Sequence, residues 1–222
     1  MEIDLGGTRV RLLAQRAAFL PEHGLLLVAD AHIGKAASFR RFGLPVPEGT
    51  TAGTLARLSA AVAASGAQHV VFLGDLLHSA RGRQADTLAE VERWRDTFAA
   101  LEMTLIRGNH DGHAGDPPPA WRVKCVDGPV HLGGLALSHH PDPQPGRYVL
   151  AGHVHPAVVL GGRANERLRL PCFHFGETVG VLPAFGEFTG THALPRAAGD
   201  RLFVVHGDSV AAVPPRATAH AA

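Results

Sequence analysis

The sequence predicts an α/β fold of four layers, α-β-β-α, in which two mixed β-sheets pack face to face and helices flank them. Three observations point there. In the first half of the chain, apolar strand-like runs alternate with amphipathic helical segments, the signature of parallel strands joined by helical crossovers. After Trp121 the pattern changes to short strands and turns without helical periodicity. Five of the strand-like runs, drawn from both halves, end in polar residues that can meet at the carboxyl edges of a sheet. A central β-sandwich flanked by helices is the simplest arrangement that uses both halves.

Taken in order, the first run is Leu25-Leu26-Leu27-Val28-Ala29, which leads into Asp30-Ala31-His32. Thr50 or Thr51 can then cap a helix whose Leu55, Leu58 and Val62 share one face, with Gly66 as its stop. The run Val70-Val71-Phe72-Leu73 follows and leads to Gly74-Asp75. A second helix carries Leu88, Val91, Trp94, Phe98 and Leu101 at three- and four-residue intervals. These stripes are core. Met103-Thr104-Leu105-Ile106 then leads to Arg107-Gly108-Asn109-His110-Asp111. The Asp116-Pro117-Pro118-Pro119 stretch reads as a loop. Leu135-Ala136-Leu137 leads to Ser138-His139-His140, and Tyr148-Val149-Leu150-Ala151 to Gly152-His153-Val154-His155. The glycines before Asp75, Asn109 and His153 suit sharp turns off a strand.

A chain of 222 residues suits one domain, expected over 1–213, with a disordered tail over 214–222. Its apolar runs are far too short to span a bilayer, so no membrane association is expected. The start, Met1-Glu2-Ile3-Asp4, carries no basic segment followed by an apolar one, so a secretory signal is not expected and the cytoplasm is. Cys125 and Cys172 stand alone without metal-ligand spacing and are expected to be buried thiols in a reducing compartment. A formal net charge of +1 excludes a global basic field, although a local arginine patch could still meet phosphates. The unusual number is 15 histidines, the commonest protein metal ligand.

The five strand ends carry the chemistry. Carboxylate, imidazole and amide ligands together suit a borderline divalent ion such as Mn²⁺, Fe²⁺ or Zn²⁺, and no thiolate is present to force zinc. Seven such ligands suffice for two ions if one carboxylate bridges them. Two ions about 3.5–4 Å apart can hold a hydroxide between them and clamp an in-line displacement at phosphorus.

Asp-x-His, Gly-Asp, Gly-Asn-His-Asp, His and Gly-His-x-His, in that order from Ala29 to His155, resemble the calcineurin-like metallophosphoesterase superfamily. The resemblance implies its sandwich and a dinuclear phosphoesterase activity. It implies Asp30, His32 and His155 on the first ion, Asn109, His139 and His153 on the second, and Asp75 between them. His110 would lie outside the ligand set as general acid, and Asp111 would be a hydrogen-bond partner. His139 and His140 compete for one position, and the resemblance favours His139. His78 could face substrate or be a plain loop residue. Lys35, Arg40 and Arg41, which follow the first motif, could meet a nucleic-acid backbone or form a solvated charged turn. His23, His69, His113, His131, His174, His192, His206 and His220 are expected to be exposed or singly hydrogen-bonded.

Within the superfamily, Gly74-Asp75-Leu76-Leu77-His78-Ser79 departs from the arginine-bearing motif of the serine/threonine phosphatases and is similar to the nuclease branch. A closer resemblance rests on Asp30-Ala31-His32-Ile33-Gly34-Lys35, Phe42-Gly43-Leu44-Pro45-Val46-Pro47, Leu170-Pro171-Cys172-Phe173 and the run from Val181 to Gly190. These resemble the bacterial ligase-associated DNA damage response endonuclease family. That implies a manganese-dependent phosphodiesterase acting on DNA during repair, beside an ATP-dependent DNA ligase and a helicase. The alternatives are a phosphodiesterase or phosphatase for small molecules or nucleotides, and a catalytically dead scaffold. The complete set of seven candidate ligands plus His110 argues against the last.

Overall fold

The computed structural model describes residues 1–161 and 167–215. A seven-stranded sheet runs in the order β1 (Glu2–Leu5), β2 (Thr8–Leu13), β3 (Ala17–Leu20), β4 (Leu25–Val28), β5 (His69–Leu73), β6 (Glu102–Ile106) and β7 (Lys124–Val126). Its first four strands are antiparallel neighbours, and β4 to β7 are parallel. The parallel half comes from the three apolar runs that alternate with helices, as crossover connections require. A second, nine-stranded sheet contains β8 (Val130–Leu132), β9 (Leu135–Leu137), β10 (Tyr148–Ala151), β11 (Pro156–Gly161) and β12 (Arg167–Phe175). It is completed by β13 (Val179–Val181), β14 (His192–Ala193), β15 (Arg201–His206) and β16 (Ser209–Ala212). It is also mixed, with β10 parallel to both β9 and β13 and β12 antiparallel to β11, β13 and β15.

The sheets bury one shared layer, with Leu27, Val71, Leu73 and Ile106 from the first against Leu137, Leu150, Phe173 and Phe175 from the second. The opposite face of the first sheet, through Leu26, Val28, Val70, Phe72 and Leu105, packs against helices. The described helices are α1 (Lys35–Arg41), α2 (Thr50–Ser65), α3 (Ala85–Thr97) and α4 (Asn109–Ala114). The two mixed sheets flanked by helices are the expected architecture. No described helix is long and apolar enough to cross a membrane.

The helix ends differ in detail from expectation. Gly49, in the left-handed region, caps α2, and Thr50 is already its first residue. Its Thr54 hydroxyl turns back to the Thr50 carbonyl at 2.9 Å. Gly66 ends α2 as expected. Helix α3 stops at Thr97, short of Leu101. The buried Arg95 guanidinium collects the carbonyls of Phe98, Leu101 at 2.8 Å and Trp121 at 2.9 Å, and so folds the chain back. Phe98 and Leu101 still reach the same core, from a turn. Cys172 is buried, which pushes its thiol up to about 12, whereas Cys125 is only half-buried. Residues 216–222, most of the expected tail, and His220 lie outside the described residues.

Candidate metal centre

Strands β4, β5 and β6 end side by side, and their polar continuations run on as paired loops. His32 N donates to the Asp75 carbonyl at 2.9 Å and Ile33 N to that of Leu76 at 2.8 Å. On the second sheet, Gly152 N donates to the His139 carbonyl at 3.1 Å, so the β9 and β10 ends are coupled in the same way. The backbone here is strained. Asp30, His32, Asp75, His153 and His155 all have φ between 45° and 70°. Only Arg16 and Arg122 share that left-handed region among the other described non-glycine residues. Each such residue costs about 1–2 kcal/mol. Concentration at the polar ends of three strands, β4, β5 and β10, marks a constrained functional cluster.

The motif glycines serve close approach more than turning. Gly74 does have positive φ, and a Cβ there would also strike the His139 ring. Gly108 and Gly152 are not in the left-handed region; a Cβ on them would meet the Asp75 and Asp30 carboxylates instead. The expectation of sharp turns therefore holds for Gly74 alone. Gly108→Ala should cost about 1–3 kcal/mol by overpacking, a fall of roughly 3–10 °C in Tm, and should displace the Asp75 carboxylate. Calorimetry with metal analysis checks this. An unchanged Tm together with full metal content would mean that the carboxylate has room to shift.

The floor of the cluster is buried: Asp30, His32, Asp75 and His139 are each at most 4 % exposed. Its rim is open, with Asn109 and His153 exposed and His110 and His155 half-buried. Asp75 sits at the centre. Its Oδ1 lies 3.4 Å from His139 Nε2 and its Oδ2 lies 3.9 Å from both His32 Nε2 and His110 Nε2. Asp30 Oδ1 is 3.5 Å from His155 Nε2, and both Asp30 oxygens accept from His153 N, at 3.1 and 2.9 Å.

Backbone carbonyls fix the ring orientations. His139 Nδ1 donates to Leu73 O at 3.0 Å, which leaves Nε2 as a lone pair facing Asn109 Oδ1 at 2.9 Å and His153 Nδ1 at 3.0 Å. His110 Nδ1 donates to His78 O at 2.8 Å, so its Nε2 faces the cleft. His32 and His155 point their Nε2 atoms at each other, 3.3 Å apart. As neutral rings they can share one hydrogen there only if one of them carries it on Nε2. A second proton on these rings is opposed, because burial pushes His32 and His139 below the usual histidine range, and desolvation of its inner side together with the neighbouring His139 and His140 lowers the exposed His153 as well. Burial also raises Asp75, and the neighbouring Asp30 charge adds to the effect. Facing lone pairs and crowded carboxylates are relieved together by cations. Among the described residues, Asp30, His32 and His155 form one cluster of suitable donor spacing, and Asp30, Asp75 and His139 another. Two more clusters are His139, His140 and His153, and His32, His78 and His110. The donor set fits divalent ions.

All seven candidate ligands and His110 are thus brought together. Asp111 is buried beside them. Its Oδ2 accepts from Asp75 N at 2.7 Å and Gly108 N at 2.9 Å, and its Oδ1 accepts from Leu77 N at 3.2 Å. It therefore fastens β5's end to the start of α4. His140 is exposed and packs on the His153 ring. His78 stacks on His110 at 4.9 Å, and burial, with Lys35 nearby, lowers it to about 4. The basic trio separates. Lys35, at the start of α1, is half-buried and feels Asp30 and Asp75, whereas Arg40 and Arg41 stand exposed at its far end. Arg40 Nη1 donates to Pro47 O at 2.9 Å. The described bland histidines are exposed or singly bonded, such as His69 to Thr104 at 2.9 Å and His174 to Asp200 at 2.7 Å.

One support was underestimated from the sequence. The Leu182-Pro183-Ala184-Phe185-Gly186 stretch pins the first motif: Phe185 N donates to Ala29 O at 2.8 Å and Gly186 N to Asp30 O at 3.2 Å. Arg57 on α2 holds this stretch through the Phe185 carbonyl and the Glu187 carboxylate. A run of Pro, Gly and aromatics does not show in the sequence what it fastens.

The family model for calcineurin-like phosphoesterases matches residues 24–214. The crystal structure of Pseudomonas putida nuclease MPE is 44% identical, with a TM-score of 0.85 over 96% of this chain and 99% of that one. Yfce, a phosphoesterase from E. coli, is 19% identical, with a TM-score of 0.38 over 85% of this chain and 97% of that one. No curated protein matches the chain significantly. The Pseudomonas putida relative is consistent with the resemblance to the ligase-associated endonucleases. With a family match over most of its length, and with histidines and carboxylates converging where that family's fold requires divalent metals, the chain belongs to the calcineurin-like phosphoesterase family and is a metal-dependent phosphoesterase.

Proposed function

We propose that the chain, as one domain over 1–213, is a dinuclear phosphodiesterase that cleaves DNA. Asp30, His32 and His155 would hold one ion, Asn109, His139 and His153 the other, and Asp75 both. The observation that carries this reading is the Asp75 carboxylate, which turns Oδ1 toward His139 and Oδ2 toward His32. Manganese suits this oxygen- and nitrogen-rich set, with iron or zinc as alternatives. When bound, two such ions supply an activated water and neutralise charge developing on the phosphoryl group. His110 presents Nε2 at the cleft and would donate a proton to the leaving oxygen. The buried side chains below it exclude bulk water from the floor.

The exposed rim favours a long polymer over a small molecule enclosed in a pocket, and the nuclease relative supports a nucleic acid as that polymer. The closer family resemblance adds a role in DNA repair in the cytoplasm, beside an ATP-dependent ligase and a helicase. The test is a substrate panel with Mn²⁺-loaded protein: a chromogenic phosphodiester, a chromogenic monoester, single-stranded circular DNA and duplex DNA. Diester and DNA cleavage are expected to exceed monoester hydrolysis. A monoester preference without DNA cleavage would replace this reading with the small-molecule one.

Arg41 gives a second check. If backbone phosphates pass the far end of α1, Arg41→Gln should flatten the salt dependence of DNA cleavage by about one unit of slope. An unchanged slope would place the strand on another face.

A further inference from the structure

Helix α1 and the loop after it present an apolar surface that neither the core nor the metal centre explains. Phe42 is 62 % exposed and Leu44 48 %, two of the five large apolar side chains exposed among the described residues. A lone exposed apolar residue is ordinary, but these two stand close together in a basic setting. The Arg81 guanidinium lies 4.9 Å from the Phe42 ring centre and covers one face of it. Arg40 and Arg41 precede the ring in sequence, on a chain whose net charge is only +1.

Helix α1, which Phe42 follows directly, also carries a ring that leads toward the metal centre. From His110 a line of rings runs to His78 at 4.9 Å, to Phe39 at 6.0 Å and to Phe188 at 5.7 Å. Phe39, Phe188 and Lys35 border a groove of about 410 Å³. Glu187 also lines it, with its charge matched by Arg57. Lys35, close enough to feel Asp30 and Asp75, places the groove's inner end beside the ligands. Planar rings interleaved with guanidinium and ammonium groups are what a single-stranded nucleic acid binds, bases on the rings and phosphates on the cations. A small phosphate ester would not need the rings, and an acidic protein surface would not need flat ones.

We propose that Phe42, stacked on Arg81 just beyond Phe39 at the end of α1, is a stacking shelf for unpaired bases of the DNA strand on one side of the scissile phosphate. This inference rests on the nuclease reading and adds where the strand lies. A base inside a duplex cannot offer its face to the shelf, so the contact acts only on unpaired bases.

The experiment compares wild type, Phe42→Ala, Phe42→Trp and Phe42→Leu in kcat/KM. The substrates are a single-stranded thymidine oligonucleotide, the same strand with abasic residues around one thymidine, and a chromogenic phosphodiester that reports the metal centre alone. Relative to the chromogenic diester, Phe42→Ala should lose about 5- to 100-fold on the oligonucleotide. Phe42→Trp should restore it and Phe42→Leu should not. Wild type should lose a similar factor on the abasic strand, where Phe42→Ala costs nothing more. Parallel losses on oligonucleotide and chromogenic diester would overturn the shelf, as would rescue by Leu equal to rescue by Trp, or an undiminished Ala variant. If wild type hydrolyses the chromogenic diester but no DNA, the nuclease reading itself fails and the shelf with it.

Discussion

Asp75→Asn is expected to abolish phosphodiester hydrolysis, by at least about 10³-fold, and to lower metal content more than loss of any outer ligand. Charge stabilisation by bound ions is worth several kcal/mol, and each 1.36 kcal/mol is tenfold in rate. The carboxylate is buried with an oxygen toward each proposed ligand set, so removing its charge weakens both at once. Asparagine keeps the shape and can still accept from His110 N, now 2.9 Å from Asp75 Oδ1. Burial and the Asp30 charge already disfavour the ionised Asp75. The metal-free variant should therefore melt no lower than metal-free wild type, an exchange of activity for stability. Asn109→Ala, at the exposed rim, is the outer-ligand comparison. Metal analysis showing two ions per purified Asp75→Asn chain would remove the bridging assignment.

The second large effect is at His110. His110→Ala should slow turnover by about 10²–10⁴-fold while metal content stays at the wild-type level. The ring reaches the cleft from α4, held by its Nδ1 bond to the His78 carbonyl, with Nε2 toward Asp75 Oδ2. A proton donor matters most when the leaving oxygen is a poor leaving group. The loss should thus be smaller for a nitrophenolate ester than for an alkyl phosphodiester such as DNA. Equal losses would leave electrostatic stabilisation of the transition state as the only role. Loss of metal would instead make His110 a ligand, consistent with its closeness to His32 and His78.

The five strands with polar ends were legible because apolar run and polar end are both local signals. Apolar runs such as Val70 to Leu73 need only a few neighbouring residues to declare themselves, and Gly66 ends α2 by its own backbone freedom. Helices α1 and α4 were not legible. They span seven and six residues, too short for a periodic stripe. Helix α1 starts where Gly34 meets Gly82, a contact so close that neither could carry a Cβ. Helix α4 starts where Asp111 reaches back to Gly108 N and across to β5's end. Arg95 likewise ends α3 with the help of a carbonyl far along the chain, that of Trp121.

By itself the sequence determined the class of fold and the inventory of the centre: five strand ends, their histidines and carboxylates, and the order in which they come. Residue type and strand periodicity are properties of short segments, and they survive without the rest of the molecule. Only the tertiary structure decided how those residues face one another. It set Asp75 between two groups of candidate ligands, turned the rings of His139 and His110 by backbone carbonyls, and used Gly108 and Gly152 to admit carboxylates. It also parted Lys35, beside the centre, from Arg41, at the far end of α1. The reason is that these relations join residues from strands far apart in sequence, and their geometry exists only once the two sheets have closed on their shared core.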